Sequence, residues 1–114
     1  MLRQMSDRER RLWKLYGLTL DDYARLLENQ GGCYICGKAP PPGKNLAVDH
    51  DHALVPKKKA DRTPDAMRKT VRGLLCWLCN HRRIGRGATP EIMRSAATYL
   101  ESAHALTQLC LAQP

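Results

Sequence analysis

Large aromatic side chains are scarce in this sequence. It contains no phenylalanine, and its two tryptophans and four tyrosines make up only 5% of its 114 residues. A chain of this length rarely supports two separate cores, so we expect a single domain covering residues 1–114. A small core that is short of large apolar groups usually needs a bound metal or disulfides for its stability. The five cysteines are therefore the first residues to explain.

The sequence also lacks a long apolar run. Residues 1–11 are highly charged, and no stretch approaches the roughly 18 apolar residues of a membrane span, or the apolar centre of a signal peptide. We therefore expect no membrane partner and a location in the reducing cytoplasm. In that compartment, paired cysteines are more often metal ligands than disulfides.

Acidic residues are outnumbered. Nineteen lysines and arginines against eleven acidic residues give a formal net charge of +8. Such an excess favours a polyanionic partner, and nucleic acid is the leading candidate. The alternative is that the basic surface only keeps the protein soluble. The charge alone therefore does not establish a nucleic-acid partner, and a candidate site is needed as further evidence.

Two helices are predicted within residues 1–31. Ser6 and Glu9 have capping-box spacing, and Thr19 and Asp22 repeat it. Apolar residues follow each pair at helical spacing, and glycines end both segments. The helical part should lead directly into the first cysteine pair.

A compact core is expected over residues 32–86. Its first strand is the short apolar run Leu46–Val48, and its partner strand is Val71–Leu75. The polar residues 56–69 between them contain two prolines and predict an exposed loop. A short helix is predicted from Cys76 to Ile84.

A last helix is predicted over residues 89–109, with Thr89 as its N-cap and Pro90 in its first turn. Its buried face is expected to consist of Ile92, Met93, Ala96, Ala97 and Leu100.

Four cysteines form two CxxC pairs, Cys33 with Cys36 and Cys76 with Cys79. This spacing lets two thiolates from each pair reach one tetrahedral ion, and four thiolates leave no position open for water. We therefore predict a structural zinc site. The alternative is a pair of disulfides or unliganded core thiols. Cys110 stands alone and is expected to be a minor apolar residue of the last helix.

Two carboxylates and two imidazoles alternate along residues 49–52, at the end of the first predicted strand. Strand alternation would direct His50 and His52 to one face and the two aspartates to the other, unless a turn intervenes. Asp49 offers an oxygen ligand for a hard cation such as Mg²⁺, and His50 titrates near neutral pH, which suits proton abstraction from water. Asn80 could add an amide oxygen from the following helix.

Each of these residues also has a structural interpretation. His52 could only hydrogen-bond the surrounding loop. Asp51 is more typical of a turn residue than of a metal ligand. Asn80 could only cap its helix.

The chain resembles the recombination endonuclease VII family of HNH nucleases, which have a ββα-metal fold. The resemblance covers most of the sequence and rests on several blocks in the same order. These are Tyr16–Thr19 with Tyr23 and Leu26–Leu27, Gly32–Gly37, Val48–His52, Val71–Cys76, Cys79–Asn80, and Ala97 with Tyr99–Leu100.

The resemblance implies a small zinc-stabilised α+β fold with a ββα-metal core, two N-terminal helices and a C-terminal helix. It implies a metal-dependent DNA endonuclease in which Asp49 and Asn80 bind Mg²⁺ or Mn²⁺. His50 would be the general base and His52 would bind or orient the scissile phosphate. Cleavage would leave a 5′ phosphate and a 3′ hydroxyl, in the cytoplasm of a bacterial or phage-infected host cell.

The candidate DNA contacts are basic residues near this site, and Arg72 comes first because it lies in a matching block. The others are Arg82, Arg83, Arg86, Lys57, Lys58 and Lys59. Residues 53–70 form a longer loop than the family usually has, and Arg83 stands where the phage junction-resolving enzyme has an acidic residue. These departures leave the DNA substrate open, as well as a monomer or homodimer state. A non-catalytic zinc module that binds nucleic acid is the alternative function.

Overall fold

The computed structural model describes residues 4–85 and 87–112, so the candidate DNA contact Arg86 lies outside the described residues. Helices and one short sheet make up its regular structure. In chain order these are α1 (Asp7–Tyr16), α2 (Leu20–Gln30), β1 (Ala47–His50), α3 (Pro64–Arg68), β2 (Val71–Leu75), a π-helix (Cys79–Arg83) and α4 (Pro90–Leu111). The predicted mixture of helix and a small sheet is confirmed.

Both N-terminal helices begin at capping boxes, as predicted. The Ser6 hydroxyl accepts a hydrogen bond from the backbone N–H of Glu9 at 3.1 Å, and the Thr19 hydroxyl accepts one from Asp22 at the same distance. Each cap satisfies backbone donors that the first turn of a helix leaves without partners.

The segment between the strands differs from the expected loop. Two 3₁₀ turns, His52–Leu54 and Lys59–Asp61, precede α3, and Met67 on α3 is buried. Pro64 is one of the two prolines on which the loop prediction rested, but it occupies the first turn of α3, where a missing N–H costs nothing. We call residues 53–70 the insert.

The two strands pair antiparallel, and the pairing contains a β-bulge. Asp49 lies opposite Gly73 and His50 lies opposite Val71, so Arg72 is the extra residue on β2. On the other edge of β2, the Gln30 side chain donates to the carbonyl of Leu74 at 2.8 Å and accepts from its N–H at 2.9 Å. Gln30 therefore occupies the place of a third strand at this position.

The core lies where α1, α2, the sheet and the cysteines meet. It is made largely of leucines, with one buried tyrosine: Leu12, Leu18, Tyr23, Cys33, Leu46, Val48, Leu74, Leu75 and Cys79. Two of the cysteines are thus core residues, in agreement with the expectation that so few large side chains need additional stabilisation.

Helix α4 departs from its prediction in one respect. It extends to Leu111, and none of its residues is buried, so the expected buried face is wrong. Leu100 is 81% exposed. The apolar residues of α4 do recur at helical spacing, but no other described element covers the face that they form. Among the residues that the structure describes, no helix combines the length and apolarity that crossing a membrane requires.

Candidate active site and metal centre

The four paired cysteines converge on one point. Their Sγ atoms all lie within 4.8 Å of one another, and Cys36 Sγ is 3.8 Å from Cys76 Sγ. A Zn–S bond of about 2.3 Å places the sulfurs of a tetrahedral site about 3.8 Å apart. All four thiols are free, so the disulfide alternative is wrong. The donor set fits zinc in both chemistry and spacing.

The surroundings of the thiols act on their pKa values in opposite directions. Burial raises the pKa of Cys33, but backbone N–H groups of the two CxxC loops outweigh it and lower the value to about 6. Burial raises the pKa of Cys79 to about 11, although the Arg83 guanidinium donates to its Sγ at 3.1 Å. Hydrogen bonds to thiolates are a common supporting feature of structural zinc sites.

A second polar site lies beside the sheet. A cavity of about 320 Å³ collects Asp49, His50, His52 and Asn80, together with Arg72. These residues come from β1, the turn after it, β2 and the π-helix. The four candidate catalytic residues therefore share one cavity.

The chain folds this way because regular alternation fails at this point. The bulge at Arg72 changes the register between Asp49 and His50, and bulges commonly redirect side chains next to functional sites. The strand then ends, and Asp51 caps a 3₁₀ turn by accepting from the N–H of Ala53 at 3.0 Å. Asp49, His50 and His52 line the same cavity, and the turn that was left open as an exception to strand alternation is present, with Asp51 as a turn residue as interpreted.

His50 is partly buried between two rings. Its ring centroid lies 5.8 Å from that of Tyr16 and 4.4 Å from that of His52. Burial, and then repulsion by His52, lower the pKa of His50 below its ordinary value. A neutral imidazole, which can accept a proton, is therefore favoured near neutral pH.

Asp49 is held by Arg72. The guanidinium donates to both carboxylate oxygens, at 2.8 and 3.2 Å. The Asp49 side chain is only 12% exposed, whereas that of Arg72 is 50% exposed. The carboxylate that was expected to bind a metal ion is thus paired with the guanidinium of Arg72.

Asn80 directly follows Cys79 of the four-cysteine cluster, within the π-helix. No side chain caps this helix, so the interpretation of Asn80 as only a cap is wrong. An Asp oxygen and an Asn oxygen in one cavity are suitable ligands for Mg²⁺ or Mn²⁺, which keep several waters or phosphate oxygens. The His52 carbonyl accepts from the N–H of Val55 at 3.2 Å, but its imidazole forms no hydrogen bond with a described residue, which does not favour a purely local role for the side chain.

Two cavity residues were missed by the sequence interpretation. Tyr16 and His81 also line the cavity, and neither was named as a candidate site residue from the sequence. Tyr16 reaches the cavity because α1 packs against β1. The sequence feature that could have identified it is its place in the first matching block. His81 is next to Asn80 on the π-helix, and its ring lies 5.1 Å from that of Trp77.

The other basic candidates are scattered. Arg82 stacks on the Trp77 ring at 5.4 Å, and Arg83 is directed to Cys79. Lys57, Lys58 and Lys59 lie on the exposed insert. Only Arg72 among them lines the cavity with Asp49.

Comparisons with known proteins identify a family and two relatives. Residues 9–102 match the model of a family described as recombination endonuclease VII. A protein named Gene 59 protein from Mycobacterium phage L5 is 41% identical over 84 residues, 73% of this chain and 43% of the relative. Another Gene 59 protein, from Mycobacterium phage D29, is 36% identical over 100 residues, 86% of this chain and 52% of the relative. No solved structure matches the chain significantly.

Proposed function

Since the chain belongs to the recombination endonuclease VII family, we propose that it is a metal-dependent endonuclease that hydrolyses phosphodiester bonds in DNA. The observation that carries this proposal is the single cavity shared by Asp49, His50, His52 and Asn80. We further propose that β1, β2 and the π-helix form an HNH-type ββα-metal core.

In the proposed reaction, His50 accepts the proton of the attacking water. Its lowered pKa supports this role, because the imidazole must be neutral before it can take a proton. His52, exposed beside it, donates to the scissile phosphate and orients it. Asp49 and Asn80 would hold a Mg²⁺ or Mn²⁺ ion, which would stabilise charge on the phosphate and on the leaving 3′ oxygen.

Arg72 is the proposed first phosphate contact. Its guanidinium is half-exposed while it binds Asp49, so it needs only a short movement to exchange a carboxylate for a phosphate. A bidentate guanidinium recognises both anions with the same geometry.

The zinc at the four cysteines is proposed to be structural. Four thiolates complete its coordination, so that site provides no position for an attacking water. Its role is to hold the start of the π-helix, and hence Asn80, against the strands.

A non-catalytic module that binds nucleic acid through its basic surface is the second candidate. The observation that favours it is the Arg72–Asp49 ion pair, because a carboxylate bound on both oxygens has to be released before it can take a metal. This module would bind DNA without metal-dependent cleavage.

The setting of the activity follows from the relatives. The chain spans about half the length of the curated phage relatives that it matches. We propose that it acts in the cytoplasm of an infected host cell, as a monomer or homodimer.

The test is incubation of the purified, zinc-loaded protein with supercoiled plasmid in Mg²⁺, in Mn²⁺ or without added divalent metal. We expect nicking or linearisation with either metal and none without added metal. His50→Ala should reduce the rate by at least about 100-fold, a typical loss for a general base. His104→Ala, which changes an exposed histidine of α4, should cleave like the wild type.

Cleavage that persists in His50→Ala would contradict the assigned base. A folded, zinc-loaded protein that binds DNA but does not cut it in the presence of either metal would favour the binding module.

A further inference from the structure

A second concavity, of about 560 Å³, opens beside the proposed active site. Tyr16, His50 and His52 line both cavities, so the two are continuous. The remaining walls come from the end of α1 and from the insert. We call this concavity the insert groove. Its volume is within the range of pockets that hold small organic groups.

One part of the insert groove is apolar. Leu15, Val55 and Met67 line it, although Leu15 is 45% exposed and Val55 is half-buried. Apolar side chains offer nothing to a phosphate, but they can cover the face of a base or a sugar. A base that remains stacked in a duplex cannot reach such a wall.

The other part of the groove is positively charged. Lys14, Lys59 and Arg62 line it, and none of them forms an ion pair with a carboxylate in the described part of the chain. Arg62 uses its guanidinium to donate to the carbonyls of Pro56 and Lys57, at 2.9 and 3.3 Å, which closes the insert on itself. Unpaired cations around an apolar wall complement a nucleotide, which combines an apolar base with a charged phosphate.

The insert wall is fixed to the helices that carry the site. Arg68 donates to both carboxylate oxygens of Asp22 on α2, at 2.5 and 3.1 Å, and to the carbonyl of Gly17 at 3.1 Å. At its other end, the carbonyl of Thr70 accepts from the N–H of Asp51 at 2.8 Å. These contacts hold the wall at a fixed place beside His50.

We propose that the insert groove binds one unpaired nucleotide of the cleaved strand next to the scissile phosphate. Its base lies against Leu15, Val55 and Met67, and its neighbouring phosphate lies between Lys14 and Lys59. This assignment rests on the proposed nuclease function, because it identifies the strand through its continuity with His50. The proposal also gives the three consecutive lysines different roles, since Lys59 lines the groove and Lys57 and Lys58 do not.

The first experiment measures binding without cleavage, in buffer without added Mg²⁺ or Mn²⁺ so that the structural zinc is retained, using a single-stranded oligonucleotide with one central 2-aminopurine. Lys59→Ala should weaken binding roughly fivefold and reduce the dependence of log K on log salt by about 0.7, the loss of one single-strand phosphate contact. Lys57→Ala removes the same charge from the same segment and should have a clearly smaller effect.

The second experiment tests the apolar wall with a matched pair of exposed leucines. In the wild type, 2-aminopurine fluorescence should rise on binding as the base leaves its neighbours for the groove. Leu15→Ser should abolish at least half of that rise, whereas Leu54→Ser should retain it, because Leu54 is 58% exposed and does not line the groove. A fully paired duplex with the same base should give little change.

The plasmid assay reports the proposed function separately. If Lys59→Ala matches Lys57→Ala and Leu15→Ser matches Leu54→Ser, the groove assignment is wrong even where the wild type cleaves plasmid. If the variants separate as expected but no metal supports cleavage, the groove stands as a strand-binding site and the nuclease proposal fails.

Discussion

Glycine is required at the ends of α1 and α2 for different reasons. Gly17 ends α1 at φ +63°, and Gly31 ends α2 at φ +71°. Both lie in the left-handed region, which an L side chain enters at a cost. A Cβ on Gly17 would also overlap the carbonyl oxygen of Pro64 at the start of α3, whereas a Cβ on Gly31 would meet nothing within 4 Å.

We therefore predict unequal costs for the same substitution. Gly31→Ala should lower the free energy of unfolding by about 1 kcal/mol, the cost of the left-handed backbone alone. Gly17→Ala should lower it by at least about 3 kcal/mol, because the insert must move as well. Chemical denaturation of both variants measures the difference. Equal losses would show that α3 does not press against the end of α1.

At the scale of elements, the insert is attached to α2 by one ionic contact. Hydrogen bonds from Arg68, and then from the Thr19 backbone, hold the pKa of Asp22 well below its ordinary value, more strongly than burial raises it. Asp22 is only 8% exposed, so its charge needs these partners.

This pair predicts a dependence of stability on pH. An acid whose pKa is lowered by folding stabilises the fold fully above its unfolded pKa of about 4, and this contribution disappears as pH falls towards the folded value. At pH 7, Asp22→Asn should lower the free energy of unfolding by about 2 kcal/mol, a typical value for hydrogen bonds to a charged group. The difference from the wild type should shrink below pH 4.

Asp65→Asn is the matched control, since Asp65 and its partner Lys69 are 83% and 76% exposed and lie 3.5 Å apart. Its effect should stay below about 0.5 kcal/mol at every pH. An Asp22→Asn variant whose deficit is the same at pH 2.5 and pH 7 would contradict the assigned role of the carboxylate.

The sequence predicts elements best where the signal is local. The caps at Ser6 and Thr19 and the strand Val71–Leu75 agree with the structure because side chains within a few residues determine them. Helix α3 was missed although Thr63 and Pro64 repeat the start signal of Thr89 and Pro90, because its five residues are too few to show a helical apolar period. Its contacts with the end of α1 and with α2 lie 46 or more positions away in the chain. The exposure of α4 was missed for the related reason that apolar spacing does not reveal whether another surface is present to cover it.

The candidate site follows the same rule. The two CxxC pairs predict their own convergence, since their spacing is that of a chelating loop. The grouping of Asp49 with His50 depends on the bulge at Arg72, and no local signal in the sequence marks this bulge. His81 lines the cavity because it lies on a π-helix, whose wider turn directs side chains differently from the α-helix that was expected here.

At the scale of the whole molecule, zinc is expected to decide whether the chain folds. The binding energy of a structural zinc is about 10–16 kcal/mol, as large as the whole stability of a typical domain. Two of the four clustered cysteines, Cys33 and Cys79, are core residues in a protein without phenylalanine. Losing the ion should therefore cost more than the remaining apolar contacts supply.

We predict one zinc per chain by elemental analysis, and cooperative unfolding when a strong chelator removes it, followed by circular dichroism. Cys33→Ser should lose the zinc and most of the helical signal. Cys110→Ser, an exposed thiol on α4, should retain both. A Cys33→Ser protein that stays folded without metal would show that the core is sufficient alone.

The adjacency of Cys79 and Asn80 has a consequence for when the proposed nuclease becomes active. In the proposed arrangement, one residue helps to close the zinc site and the next supplies an oxygen to the catalytic ion, and Cys76, another proposed zinc ligand, lies three positions before Cys79. During synthesis, Asp49 and His50 leave the ribosome well before these residues do. On this proposal, a newly made chain cannot cut DNA until it has captured zinc, so the availability of zinc determines when the activity begins.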